Sequence, residues 1–142
     1  MRHILTLIFI LSTTFIVARI NENLEQLTNR YGTPTTFENE VYGFIFKDFT
    51  IKVAIHEGKA VALTFLKDDG ESVITDEEIK YLLESNLGKG YNKGNPIGTM
   101  QNYDNGNLSA SYVPELSVLV IMNTKKFDEY QKKITIEKMD GF

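Results

Sequence analysis

The chain of 142 residues contains no cysteine. This absence excludes disulfide bonds, thiol catalysis, metal sites built from thiolates and lipid attachment at an amino-terminal cysteine. Apolar residues make up 42% of the sequence, which is ordinary for a chain that folds into one globular domain. The domain must therefore be stabilised by packing alone.

The short motifs that carry reaction chemistry are also absent. The sequence has no Gly-x-Ser-x-Gly elbow and no glycine-rich phosphate loop between a strand and a helix. His56 is the only histidine after residue 18, and its place at a predicted strand end beside a turn indicates a surface residue. The acidic run at residues 68–71 matches no EF-hand spacing and is typical of a charged turn. We therefore predict no catalytic residue, no cofactor and no metal site.

Basic residues are too few for a nucleic-acid-binding surface. The chain has 15 Lys and Arg against 19 Asp and Glu, a net charge of −4. The local basic pairs at residues 125–126 and 132–133 are interleaved with acids, as on a solvated helix face. Nucleic acid is therefore not the expected partner.

The amino terminus has the three parts of a secretory signal peptide. Arg2 and His3 form a short positive region, residues 4–17 are apolar, and Ala18 offers a small residue for cleavage before Arg19. We therefore predict a signal peptide at residues 1–18 and a single domain at residues 19–142.

An uncleaved membrane anchor is the alternative for this segment, because Ile16 is larger than the residue preferred two positions before the cleavage residue. The apolar stretch is shorter than the roughly 20 residues that span a bilayer, and residues 12–14 interrupt it with hydroxyl groups. Export combined with the lack of cysteine is typical of bacterial proteins. The sequence thus predicts a periplasmic or extracellular bacterial protein without a membrane span after cleavage.

Hydrophobic spacing in the first half predicts one helix followed by a meander. Leu24, Leu27 and Tyr31 recur at helical intervals and predict a helix over about residues 22–31, ended by Gly32. Three runs of alternating apolar residues predict antiparallel strands, at residues 42–46, 49–55 and 61–65.

The second half repeats this order. Thr75 and Glu78 form a capping box that predicts a helix ending before Gly88. Further alternation predicts three strands, at residues 97–103, 108–112 and 116–122. A last helix is predicted at residues 124–134, capped by Asn123 or Thr124.

The two halves, residues 21–67 and 75–122, have matching landmarks. Gly32 and Gly88, for example, lie 56 residues apart, each at the end of a predicted helix. This order predicts a tandem repeat of one helix and three strands. The expected fold is a two-layer α+β domain with one antiparallel sheet and helices on one face.

Several segments resemble a known group of sequences. They are Asn29–Pro34 (NRYGTP), the Phe-rich strands, the hairpin at residues 57–59 and the helix start at residues 75–83. Together they resemble exported, uncharacterised bacterial proteins with an RYGxP signature. More distantly, a helix ending in YGxP before a meander is similar to the SmpA/OmlA outer-membrane assembly lipoproteins and to the β-lactamase-inhibitor-protein fold. The resemblance implies a protein that acts by binding other proteins, although no inhibitory residue matches by position and the lipidated cysteine is missing.

The predicted sheet face opposite the helices provides candidate binding residues. Strand alternation places a mixed, small-chained set of residues there: Thr50, Lys52, Ala54, Ala62, Thr64, Ser109, Ser111, Ser117, Leu119 and Ile121. Leu119 and Ile121 are the first contact candidates, since apolar residues among polar ones are typical of protein-binding surfaces; the alternative is that both are buried under a helix or loop. Tyr91 in the glycine-rich connection is a further candidate, unless it pins its own loop.

These observations favour an exported, non-enzymatic protein-binding module of the bacterial envelope or secretome. A carboxylate-dependent hydrolase without histidine and a structural envelope component are the alternatives. A cleft with two close acids, one with a raised pKa, would favour the hydrolase. A flat, acid-poor sheet face would favour the binding module.

Overall fold

A computed structural model describes residues 19–140 as three helices and one eight-stranded antiparallel sheet. The α+β class predicted from the sequence is confirmed. The predicted signal peptide, residues 1–18, lies outside the described residues. Within residues 19–140, no helix combines the length and the apolar character needed to cross a membrane.

The elements follow one another in the order predicted, with two short additional strands. The helices are α1 (Leu24–Tyr31), α2 (Asp76–Leu87) and α3 (Thr124–Asp140). The strands are β1 (Thr36–Glu38), β2 (Val41–Phe46), β3 (Phe49–His56), β4 (Lys59–Lys67), β5 (Asn92–Lys93), β6 (Gln101–Asp104), β7 (Ser109–Val113) and β8 (Val118–Met122). The edge strands β1 and β5 are not part of the prediction.

Local sequence explains where α1 and α2 begin and end. Each starts at a capping box in which two residues satisfy each other's free backbone amides, Asn23 with Gln26 and Thr75 with Glu78. Each ends at a glycine with positive φ, Gly32 at 85° and Gly88 at 84°. Glycine adopts this conformation without the steric penalty that a Cβ atom imposes.

The sheet order is β1-β2-β3-β4-β8-β7-β6-β5. Strands within each half are therefore neighbours in both chain order and space, and the halves meet where β4 pairs with β8. The register of this junction includes Ala62 opposite Met122 and Phe65 opposite Leu119. Each half of the chain contributes one helix and four strands.

The sheet separates two hydrophobic clusters. The first contains Leu63 of β4 together with Leu27 of α1 and Leu83 of α2, and all three side chains are buried. The second contains Ala62 of β4 together with Tyr130 of α3. Because consecutive strand residues point to opposite sides of a sheet, α3 lies on the face opposite α1 and α2.

The expectation that the helices share one face is therefore wrong for α3. Ala54 and Ala62 have small side chains, which leave room for the aromatic face of α3. The stacked rings of Phe127 and Tyr130, with centroids 5.6 Å apart, fill this space together with Ile134. The three residues do share one helix face, as their spacing predicts.

Polar contacts fix α3 to the sheet. Asn123 is the cap, and its side chain accepts a hydrogen bond from the backbone amide of Lys126 at 3.1 Å. The Tyr130 hydroxyl donates to the carbonyl of Asn39 at 2.7 Å, and Lys133 pairs with Glu40 at 2.6 Å. The helix continues to Asp140, beyond the predicted end at residue 134.

Candidate binding face of the sheet

Helix α3 covers only part of its side of the sheet. The remaining part, here called the open face, is formed by nine residues whose side chains alternate with those of the first cluster: Ile45, Thr50, Lys52, Thr64, Leu66, Ser111, Val113, Val118 and Val120. All nine are half-buried or exposed. Five strands, β2, β3, β4, β8 and β7, position them.

One row of the open face contains three of the residues predicted from the sequence. Lys52 pairs with Thr64, which pairs with Val120, which pairs with Ser111. The structure thus places Lys52, Thr64 and Ser111 side by side on the face opposite α1 and α2, as strand alternation predicts. Their role in binding stays a prediction.

A second row is mainly aliphatic, and of its residues only Thr50 is part of the face predicted from the sequence. Ile45 pairs with Thr50, which pairs with Leu66, and on the other side of the β4–β8 junction Val118 pairs with Val113. Leu66 and Val118 directly follow and precede the last pair of that junction, Phe65 and Leu119. Ile45 is 48% exposed and the other four residues of the row are half-buried. The aliphatic residues of both rows form a stripe across the sheet, here called the aliphatic stripe: Ile45, Leu66, Val113, Val118 and Val120.

The placement of Leu119 and Ile121 on this face is wrong. Both are fully buried in the first cluster, where they pair with Phe65 and Leu63 of β4. Residues 118–122 are apolar at every position, so alternation along this strand cannot indicate which side faces the core. A one-residue error in this assignment exchanges the two faces.

The two other candidates lie away from the centre of the open face. The Ser109 hydroxyl is 2.9 Å from that of Thr124, so Ser109 sits beside the start of α3. Tyr91 is half-buried against the first cluster, with its ring edge-on to Tyr103 at a centroid distance of 5.7 Å. This contact matches the alternative that Tyr91 pins its own loop.

The open face has little charge. None of its nine residues is acidic, and Lys52 is its single charged side chain. Two acids lie at its margin: the Asp68 carboxylate accepts a hydrogen bond from Thr50 at 3.1 Å, and Glu38 lines a shallow groove together with Lys52. Ser111 donates to the side-chain oxygen of Asn102 at 2.9 Å. The surface is thus aliphatic and hydroxyl-bearing, with a cation on one side.

An aromatic pocket of about 310 Å³ opens on the other side of the sheet, between α1, α2 and the β2–β3 hairpin. Five rings line it: Tyr31, Phe46, Phe49, Phe65 and Tyr81. Four charged residues, Lys47, Asp48, Glu77 and Glu78, and two aliphatic ones, Ile51 and Leu82, complete its lining. Its size falls at the lower end of the range for small-molecule sites.

Two of the acids at this pocket are joined by a buried lysine. Lys67 Nζ lies 2.6 Å from Asp48 and 2.7 Å from Glu78. The hydrogen bond from Lys67 holds the pKa of Asp48 below its ordinary value. Burial acts to raise the pKa of Glu78, but bonds from Lys67 and Thr75 outweigh it, so that pKa is also lowered. Both carboxyls are therefore ionised at neutral pH and neither can act as a general acid.

His56 is not the surface residue that the sequence predicts. Its side chain is only 10% exposed, because α3 packs beside the end of β3. Two carboxylates face its ring, Glu57 at 3.8 Å and Glu129 at 3.7 Å from Nε2. The position of α3 could not be inferred from the local pattern around residue 56.

No family model matches the chain, and no curated protein or solved structure is significantly similar to it. Function must therefore be inferred from the geometry of the chain itself.

Proposed function

We propose that the chain is an exported, non-enzymatic protein-binding module of the bacterial envelope or secretome, and that the open face is its binding surface. The observation that carries this proposal is the aliphatic stripe that α3 leaves uncovered. Broad surfaces with clustered apolar side chains among polar ones are typical of protein interfaces.

The open face suits a partner of defined chemistry. Its valines and Ile45 are β-branched and stiff, so little side-chain freedom is lost when a partner covers them. Lys52 offers a positive charge beside the stripe. We infer a partner segment with aliphatic or aromatic side chains and an acidic residue placed opposite Lys52.

The proposal of export rests on the sequence of residues 1–18 and on the lack of cysteine. The resemblance to exported bacterial proteins and to folds that act by binding supports the same function.

A tandem repeat is also part of the proposal. Both halves start with a capping box, end their helix at a glycine and continue into a meander.

The alternatives are less well supported. A hydrolase that uses two carboxylates needs one of them protonated, whereas Asp48 and Glu78 share Lys67 and have lowered pKa values. A structural envelope component would use the open face for self-association. The experiment below distinguishes this outcome from binding to a different protein.

Photo-crosslinking from the open face tests the proposal. A benzophenone side chain replaces Val120, and the full chain is exposed to native envelope and culture fractions before mass spectrometry. We expect one protein to be captured reproducibly. The interaction should then be reproduced with the purified partner, and Val120→Glu should weaken it by about tenfold or more.

Val73→Glu is the matched control, because Val73 is 63% exposed but lies in the loop before α2. This variant should bind as the unmodified chain does. Capture of the chain by itself would favour the structural component. Equal binding by both variants, or capture no greater than without irradiation, would refute the open face as a binding surface.

A second candidate function is binding of a small apolar molecule, favoured by the aromatic pocket. An apolar fluorescent probe should bind with enhanced emission, and Tyr81→Ala should reduce its affinity. Ile97→Ala is the control, since Ile97 is exposed and does not line the pocket. Equal affinities for the two variants would exclude this function.

A further inference from the structure

His56, Glu57 and Glu129 converge from three elements. His56 ends β3, Glu57 lies in the turn before β4, and Glu129 belongs to α3. One ligand atom from each residue lies within 4.8 Å of the other two. The sequence separates Glu129 from the other two residues by more than seventy positions, so the fold alone creates this cluster.

The His56 side chain has no hydrogen-bond partner among the described residues. Its side chain is nine-tenths buried, and its Nδ1 atom is buried and unpaired. Nε2 faces the two carboxylates, but the distances of 3.8 Å and 3.7 Å exceed those of a hydrogen bond. Nδ1 is thus the buried nitrogen without a partner, whereas Nε2, which makes no hydrogen bond to the two carboxylates, is the nitrogen that can take an additional ligand.

The ammonium group of Lys126 already lies near both carboxylates, those of Glu57 and Glu129. Lys126 Nζ lies 3.6 Å from Glu57 and 3.5 Å from Glu129, on the outer side of the cluster. The Lys126 side chain is 43% exposed, and its ammonium group makes no hydrogen bond with either carboxylate. A divalent ion would place twice the charge between the same oxygens and would also engage the imidazole.

We propose that His56, Glu57 and Glu129 form a binding site for a divalent transition-metal cation, with Zn²⁺ as the reference ion. One imidazole and two carboxylates are ligands that suit this class of metal, whereas Ca²⁺ and Mg²⁺ prefer sites made of oxygen alone. Water completes the coordination. The site is independent of the proposed binding function of the open face.

The observed distances require only a small closure. Zinc bonds of about 2.0–2.2 Å place tetrahedral ligands about 3.3–3.6 Å apart. The carboxylates therefore move by a few tenths of an ångström toward Nε2, and by up to about 1.5 Å toward each other, since all three ligand atoms lie within 4.8 Å. Glu57 and Glu129 have side chains that are 67% and 39% exposed, and are therefore free to make this adjustment. The metal would tie the β3–β4 hairpin to α3.

The composition makes the test specific. The chain has no cysteine, and His3 is its only other histidine. The full chain with His3→Ala, purified without a histidine tag, therefore retains His56 as its single imidazole. Calorimetric titration with ZnCl₂ should give one saturable site per chain, and the imidazole NMR signals of His56 should shift with the same stoichiometry.

Four variants in this background identify the ligands. His56→Gln and Glu129→Gln should each weaken Zn²⁺ binding by about tenfold or more, because each removes one ligand. Lys126→Met should strengthen binding, since it removes the competing ammonium. Glu137→Gln is the control: it lies on the same helix and pairs with Lys133 at 3.9 Å, away from the cluster.

The Zn²⁺ titrations of these variants can either support or overturn the proposed metal site. Loss of binding in Glu129→Gln, a variant at a partly exposed position that leaves the core intact, with unchanged binding in Glu137→Gln supports the site. Absence of saturable binding in the His3→Ala chain overturns the proposal. Zn²⁺ affinity that is unchanged by His56→Gln also overturns it, since the metal would then be bound by surface carboxylates elsewhere.

Discussion

The Nζ atom of Lys67 lies 2.6 Å from Oδ2 of Asp48, although the lysine is buried and the aspartate is largely exposed. The same ammonium reaches Glu78 at 2.7 Å and lies 4.3 Å from the ring centre of Phe49. One side chain at the end of β4 therefore joins the β2–β3 hairpin to the first turn of α2. These contacts hold two walls of the aromatic pocket together.

Replacing this lysine should destabilise the fold. Lys67→Met keeps most of the apolar stem but leaves two carboxylates without their cation, and we expect the free energy of unfolding to fall by about 1–2 kcal/mol. Urea denaturation measures this change. Lys80→Met is the control, since Lys80 is 70% exposed in a 4.0 Å pair, and should change stability by less than about 0.5 kcal/mol. Equal effects of the two substitutions would contradict a structural role for Lys67.

The same contacts predict a dependence of stability on pH. The pKa values of Asp48 and Glu78 are lowered from 3.8 and 4.5, so their stabilisation is complete above pH 4.5 and is lost as the pH falls through their folded values. Burial acts to lower the pKa of Lys67, but the two carboxylates outweigh it and raise that pKa above 10.5. The lysine thus keeps its charge throughout the acid range.

Urea denaturation between pH 7 and pH 3 tests this dependence. The unmodified chain should lose stability on acidification, and Lys67→Met should lose less, because its carboxyls no longer gain a partner on folding. Parallel pH profiles for the two proteins would show that other carboxyls dominate the acid response.

Truncation of two neighbouring residues of β8, Leu119 and Val120, should have opposite effects: one should lower stability and the other should weaken binding. Leu119→Ala creates a cavity in the first cluster and should cost about 3 kcal/mol, whereas Val120→Ala should cost less than about 1 kcal/mol. Thermal or urea denaturation measures both. A larger cost for Val120→Ala would mean that the two faces of β8 are exchanged. In a binding assay with an identified partner, Val120→Ala should weaken the interaction although its cost in stability is small.

The hydroxyl of Tyr130 should contribute to the docking of α3. Tyr130→Phe removes the donor to the Asn39 carbonyl and should lower stability by about 1 kcal/mol. Trypsin should then cleave more rapidly after Lys132 and Lys133 on the same helix. Tyr42→Phe is the control, because the Tyr42 ring lies tilted against Phe37 at a centroid distance of 4.5 Å and its hydroxyl has no hydrogen bond among the described residues. Unchanged proteolysis in Tyr130→Phe would show that ring packing alone holds α3.

Sequence patterns predicted features that depend on neighbouring residues. The capping boxes and helix-ending glycines act within one turn, so Thr75–Glu78 and Gly88 could be interpreted without the fold. The alternation in β2 to β4 likewise predicts Lys52 and Thr64 on one face. The aromatic stripe of α3 predicts its buried side correctly.

Features that depend on long-range packing could not be predicted in this way. Residues 118–122 are apolar on both sides, because one side packs in the first cluster, whereas on the other side Met122 packs in the cluster with α3 and the valines belong to the aliphatic stripe. The two-residue strand β5 exists only through its pairing with β6. Nothing near His56 in the sequence indicates Glu129, which α3 brings from the other end of the chain.

The junction between β4 and β8 has a consequence for how the chain folds. Ala62 and Met122 face each other across this junction but are 60 residues apart in the chain, whereas the other strand pairs are joined by shorter connections. Closing the longer loop costs more conformational entropy, so the two meanders should form before they join. Substitutions along the junction should then mainly accelerate unfolding, and each half should acquire its hairpins without waiting for the other.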